Sequence, residues 1–176
     1  MGTVKIDDEL ADTLKQQCPL LTEDADAHRS EHAIEVQLPF LLTRNPTLTF
    51  VPIALGTGDF DVLEMLGKAV GEVLQAQSEP ILIVASSDMN HYESDRITRV
   101  KDRKAIERLL ALDARGLYHV VKAEDVSMCG FGPAIVMLTA TKILGATSAA
   151  LIRYATSGDV SGDRDMVVGY AGVVVR

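Results

Sequence analysis

The stretch Pro80 to Ala85 (PILIVA) is a continuous apolar run that Ser86-Ser87-Asp88 ends abruptly. A run with no polar alternation is how a strand buried on both faces reads, so it predicts a central parallel strand. Such a strand needs helices to cover it, and the neighbouring sequence has helical spacing. Asp59 to Gln77 places Val62, Leu63, Leu66, Val70, Val73 and Leu74 on one face. Ile97 to Leu112 reads as a charged amphipathic helix, Tyr118 to Lys122 as a short helical piece, and Gly132 to Leu144 as an apolar helix opened by Pro133. Upstream, Asp7 to Gln17 is a short helix that Cys18-Pro19 ends, and Ser30 to Arg44 is a helix that Pro39 kinks or confines to one side. Thr47 to Gly56 is dense in β-branched residues and predicts a strand. Two last strands, Ala149 to Ala155 and Val167 to Val175, are joined by polar turn chemistry at Thr156 to Asp165, which predicts an antiparallel edge pair. The chain of 176 residues therefore reads as one α/β domain with a single core.

Charge and cysteine content exclude several functions. Net charge is −8, with no basic run, so the long-range field repels nucleic acid and anionic membrane surfaces. The apolar runs fall far short of the roughly 20 residues of a spanning helix. The first ten residues lack the apolar segment of a secretory signal, and two cysteines are too few for a disulfide framework. The expectation is a soluble, cytoplasmic protein.

Polar residues directly after a buried strand fall where open α/β sheets place ligands, and Ser86, Ser87, Asp88 and His91 hold that position. Asp88 and His91 can present a carboxylate and an imidazole to one point, as metal ligands or as an acid that orients a base. The plainer reading, in which Ser87 or Asp88 caps a helix and His91 is merely exposed, stays open. Cys129 heads Cys129-Gly130-Phe131-Gly132-Pro133 before an apolar helix, where the macrodipole favours an anion, although a lone cysteine is more often inert core. His28-Arg29-Ser30-Glu31-His32 spells the H-x-x-E-H of inverzincin metalloproteases on three fixed positions, without an identifiable third ligand; Glu31, His32 and Glu35 otherwise line a pocket or form a solvated helix face. No G-x-S-x-G elbow, G-x-G-x-x-G turn or Walker A sequence is present.

Four segments taken in order, EHAIEVQLPF (31–40), SSDMNHY (86–92), MCGFGP (128–133) and YATSGD (154–159), resemble the Memo-like family, whose bacterial and archaeal members are called AmmeMemoRadiSam system protein B. The resemblance implies a three-layer α/β/α fold with a mostly parallel central sheet, similar to class III extradiol dioxygenases, and a metal-capable pocket at one end of the sheet. It implies His91 and Cys129 as metal ligands, with Asp88 and His32 beside them as catalytic candidates. Iron or copper is the implied metal, with zinc as an alternative, in a mixed N/S/O site that suits a transition metal. The family's P-H-A-G-Y and G-P-S-H motifs, which supply two further pocket histidines, have no counterpart here. The domain is therefore expected to lack the family's N-terminal third, and homo-oligomerisation is expected to cover the exposed strand edges.

By the same resemblance, a redox or dioxygenase-like enzyme acting on an unknown small molecule is expected. A non-catalytic metal- or partner-binding module is the alternative, and a cysteine or H-x-x-E-H zinc hydrolase the lesser reading. A radical-SAM or AMMECR1-type partner is implied by association with the family.

Overall fold

Aspartate side chains start several helices of the computed structural model, which describes residues 3–176. Each accepts backbone N–H groups that a helix leaves unpaired in its first turn, a cap that contributes about 1 kcal/mol. The chain divides into two compact units, one ending at Gly56 and one running Thr57–Arg176.

In the first unit, β1 (Lys5–Ile6) leads to Asp7, which caps α1 (Asp8–Gln17). Cys18 ends α1 in an extended conformation before Pro19, as the pre-proline rule requires. Asp24 caps α2 (Ala25–Arg29), and α3 (Leu38–Arg44) begins with Pro39 in its first turn. The helix expected over Ser30 to Arg44 is thus confined to the side following the proline, where a missing N–H costs nothing. Of the strand expected over Thr47 to Gly56, only β2 (Thr49–Phe50) forms, paired in parallel with β1.

In the second unit, Asp59 caps α4 (Phe60–Gln75), whose apolar face packs on a later helix. After the segment 80–90, which forms neither helix nor strand, come β3 (His91–Glu93), α5 (Asp95–Leu110), α6 (Ala114–Ala123) and α7 (Phe131–Ile143). Then follow β4 (Ala149–Thr156), the single turn α8 (Gly158–Ser161) and β5 (Val167–Val175). Helices α4 and α7 meet closely because Gly67 and Gly71 present no side chain. A Cβ at Gly67 would press on Thr139 and the Val136 carbonyl, and one at Gly71 on Ile143 and Ala140. Leu63, Leu117, Ile135 and Leu138 are fully buried. Helix α5 lies on β4 and β5 and also touches α6.

The sheet runs β3-β5-β4, and both of its pairings are antiparallel. The edge pair expected near the C-terminus is therefore present as β4 and β5. The mostly parallel central sheet is not: among the described residues the parallel pairing is the short one of β1 with β2. The expected central strand Pro80 to Ala85 forms neither strand nor helix, and Ile81, Leu82 and Val84 are exposed. Its composition fits a doubly covered strand, but a strand forms only against a partner's N–H and C=O groups, and within the second unit no described residue supplies them. The molecule is a mixed α/β protein with small sheets. Among the described residues no helix is long and apolar enough to cross a membrane.

Candidate metal centre

Two stretches of chain bring the candidate ligands together. The first, residues 86–93, is fastened to the sheet at its midpoint, where the Met89 N–H donates to the Gly169 carbonyl and the Gly169 N–H donates to the Asn90 carbonyl. Beyond it the register slips at Tyr92: His91 faces Val168 and Glu93 faces Val167. Tyr92 takes a positive φ of 58°, a conformation that a bulky side chain rarely adopts. The bulge re-aims the side chains around it, and His91 is turned toward Asp88.

The second stretch, residues 126–130, precedes α7 and carries Cys129. It lies against the first because Gly130 has no side chain; a Cβ there would collide with Ser87. The Gly130 N–H donates to Ser87 Oγ at 2.9 Å, and that hydroxyl donates in turn to the Asp88 carbonyl. The glycine that the sequence leaves open between ligand approach and helix packing is thus needed for the contact between the two stretches.

Asp88, His91 and Cys129 each offer one ligand atom, and these atoms lie within 4.8 Å of one another. His91 Nε2 stands 3.2 Å from Asp88 Oδ2, and the Cys129 thiol 3.8 Å from Asp88 Oδ1. The first distance is short enough for attraction if the imidazole is protonated, but its direction is off the line of a hydrogen bond. Nε2 is therefore a buried nitrogen without a hydrogen-bond partner. Buried polar atoms are rarely left so, and a ring nitrogen held beside a carboxylate and a thiol is one that a metal ion would satisfy. Metal–ligand bonds of about 2.0–2.3 Å place ligand atoms roughly 3.5 Å apart, so a small tightening of this group encloses an ion. Cys129 is exposed, so it is not inert core, whereas Cys18 is buried.

A buried polar network lies behind the group. Asp102 is fully buried and accepts the Asn90 N–H at 2.8 Å and the Tyr154 hydroxyl at 2.7 Å. Burial outweighs both bonds and pushes the Asp102 carboxyl above its ordinary range. Burial, followed by the bond to Asp102, likewise holds the Tyr154 hydroxyl firmly protonated. Lys101 pairs with Glu93 at 2.7 Å and donates to the Asp125 carbonyl at 2.8 Å, which pulls the Glu93 carboxyl below its ordinary range. Asn90, Asp102 and Ser127 are absent from the candidates drawn from sequence. Asn90 lies within the quoted SSDMNHY segment, but nothing in a single sequence marks an asparagine as buried.

The group of clustered ligand atoms comprises Asp88, His91 and Cys129 and none of the other candidates. His32 lies in the first unit, exposed, in the turn between α2 and α3, and it is not among the clustered ligands. Helix α2 ends at Arg29, so Glu31 and His32 are not on one helical face with His28, as H-x-x-E-H chemistry requires. The Glu31 carboxylate instead accepts the Ala33 N–H, which, with His32 nearby, lowers its pKa. His119 is exposed on α6. The YATSGD segment does not reach the ligands either. Its Asp159 accepts the Thr156 N–H and both oxygens engage Arg99 at 2.8 Å, which fixes the α8 turn to α5.

The family model described as Memo-like protein matches residues 1–174. A MEMO1 family protein of Methanopyrus kandleri is 42% identical over 177 residues, covering 100% of this chain and 62% of its own length. One from Caldivirga maquilingensis is 42% identical over 173 residues, covering 98% and 61%. A third, from Methanocaldococcus jannaschii, is 40% identical over 180 residues, covering 100% and 63%. The chain spans less than two thirds of the length of these relatives. On the family match and these identities, the chain belongs to the Memo-like protein family.

Proposed function

We propose that this chain carries a transition-metal centre of a Memo-like protein, with Asp88, His91 and Cys129 as the ligands. The observation that carries the reading is the unpartnered His91 Nε2, buried beside a carboxylate and a thiol. A donor set of one nitrogen, one sulfur and one oxygen disfavours magnesium and calcium, which prefer oxygen alone, and suits iron, copper or zinc. Three protein ligands leave coordination positions free for water or a substrate. Bound iron or copper would supply one-electron chemistry there. The chain's own part is to hold the ligands, with Asp88 opposite His91 and Gly130 allowing Cys129 to approach. A redox or dioxygenase-like activity belongs to the proposal, as does a three-layer α/β/α architecture.

Elemental analysis after anaerobic loading with iron, copper or zinc tests the reading. The expected result is about one metal per chain, lost in His91→Ala and Cys129→Ala and kept in His28→Ala and His119→Ala. Equal loss at His28 would move the site to the first unit. A loaded protein that neither consumes oxygen nor cycles between oxidation states would be a binding module rather than an enzyme.

A further inference from the structure

Asn90 lies between Asp88 and His91, is fully buried, and uses every polar atom it has. Its side-chain Oδ1 accepts the Ser127 N–H at 3.1 Å and lies 3.2 Å from the Ser127 hydroxyl. Its Nδ2 donates to Glu93 Oε2 at 2.7 Å and to Thr98 Oγ1 at 3.2 Å. This pattern fixes the amide one way round, because a flip would set its NH2 against the Ser127 N–H and its oxygen against the Glu93 carboxylate. The Ser127 hydroxyl oxygen in turn accepts the His91 N–H at 2.7 Å. Residues 90 and 91 of the first ligand-bearing stretch are thereby tied to residue 127 of the second, two positions before Cys129. On the other side of Cys129, the Gly130 N–H is tied to Ser87. The thiol is held between two clamps.

We infer that Asn90 and Ser127 form a positioning bridge that sets the distance between the Cys129 sulfur and the Asp88–His91 pair, and so tunes how tightly and in what geometry the centre holds a metal. The inference rests on the metal reading above. Neither side chain is a ligand. Their effect passes through the backbone of His91 and the approach of the 126–130 stretch, as hydrogen-bonded partners behind ligands do in other metal sites.

Cobalt(II) titration of the whole chain tests it, with thiolate-to-cobalt absorption reporting the sulfur and the visible bands reporting geometry. Asn90→Ala and Ser127→Ala should each weaken cobalt binding by about 10- to 100-fold and shift the absorption, and Ser127→Thr, which keeps a hydroxyl, should restore much of it. The two losses should not add, because both break one bridge. Val73→Ala hollows the core in α4 and lowers thermal stability without touching either stretch, so its cobalt spectrum should match wild type. Should Asn90→Ala fail to fold, exposed Ser127 still decides the question. Wild-type affinity and spectrum in the Ser127→Ala protein would overturn the bridge while leaving the centre intact. A wild-type protein that takes up no cobalt would instead overturn the metal reading, and the bridge with it.

Discussion

At Gly130 a single methyl group decides whether the two ligand-bearing stretches can touch. Gly130→Ala sets a Cβ against Ser87, and because the Ser86 carbonyl also lies in the way, the clash cannot be relieved by rotating one side chain. Forcing the fit should cost about 1–3 kcal/mol, measured by chemical denaturation, and metal uptake should fall with it. A bulkier Gly130→Val should be worse on both counts. The same scale shows how the candidates sorted. His91 and Cys129, marked by the family resemblance, do converge, and Asp88 joins them. His32 lies in the first unit, between α2 and α3, where the helix expected over Ser30 to Arg44 has not yet begun. Asp102 was hidden inside a helix that reads as charged and amphipathic, since the pattern of a sequence shows which face is apolar but not that one carboxylate is buried against a tyrosine.

Helix α5 supports the site. Thr98, Lys101 and Asp102 face the ligand-bearing stretches, while Asp95 accepts the Thr156 hydroxyl at the end of β4 and Arg99 engages Asp159 of the α8 turn. Arg99, then Thr156, holds the Asp95 carboxyl well below the ordinary carboxylate range; the Thr156 N–H and Arg99 lower that of Asp159, and Lys101 that of Glu93. A carboxyl whose pKa is lower in the folded state adds stability that is complete above its unfolded value and is lost as pH falls through the folded one. Asp102 acts in the opposite sense, since its raised pKa favours the folded state as pH falls. Glu31 and Glu64 are lowered as well, so with five groups against one, thermal stability should be retained at neutral pH and decline below about pH 4. Arg99→Ala should flatten that decline, which melting temperatures at pH 7 and pH 3.5 would show; an unchanged slope would mean that the network contributes nothing. Most elements were legible in the sequence because capping aspartates and apolar spacing act locally: α1, α4, α5 and α7 start within two residues of where periodicity puts them. Strand 80–85 was not, because its local signal is sound while pairing is decided by a partner elsewhere in the chain.

Taken whole, the molecule combines a strongly acidic surface with an unpaired apolar segment. Leu82 is 74% exposed in the run 80–85, and Ile152 is 64% exposed on β4. Unpaired chain with apolar side chains promotes pairing with other chains, so concentration-dependent self-association is expected by light scattering. Leu82→Asp should reduce it while changing the melting temperature little, because an exposed side chain contributes little to folding; association unchanged in that variant would place the contact elsewhere. The net charge of −8 opposes such contacts at low salt, so association should increase as salt is added. The ligand set is the central claim, and X-ray absorption on zinc-loaded protein reads it atom by atom. A single sulfur at about 2.3 Å, with nitrogen and oxygen neighbours at about 2.0–2.2 Å, lost as sulfur in Cys129→Ala and as the imidazole signal in His91→Ala, is the predicted result. A shell of nitrogen and oxygen alone in the wild-type protein would contradict it.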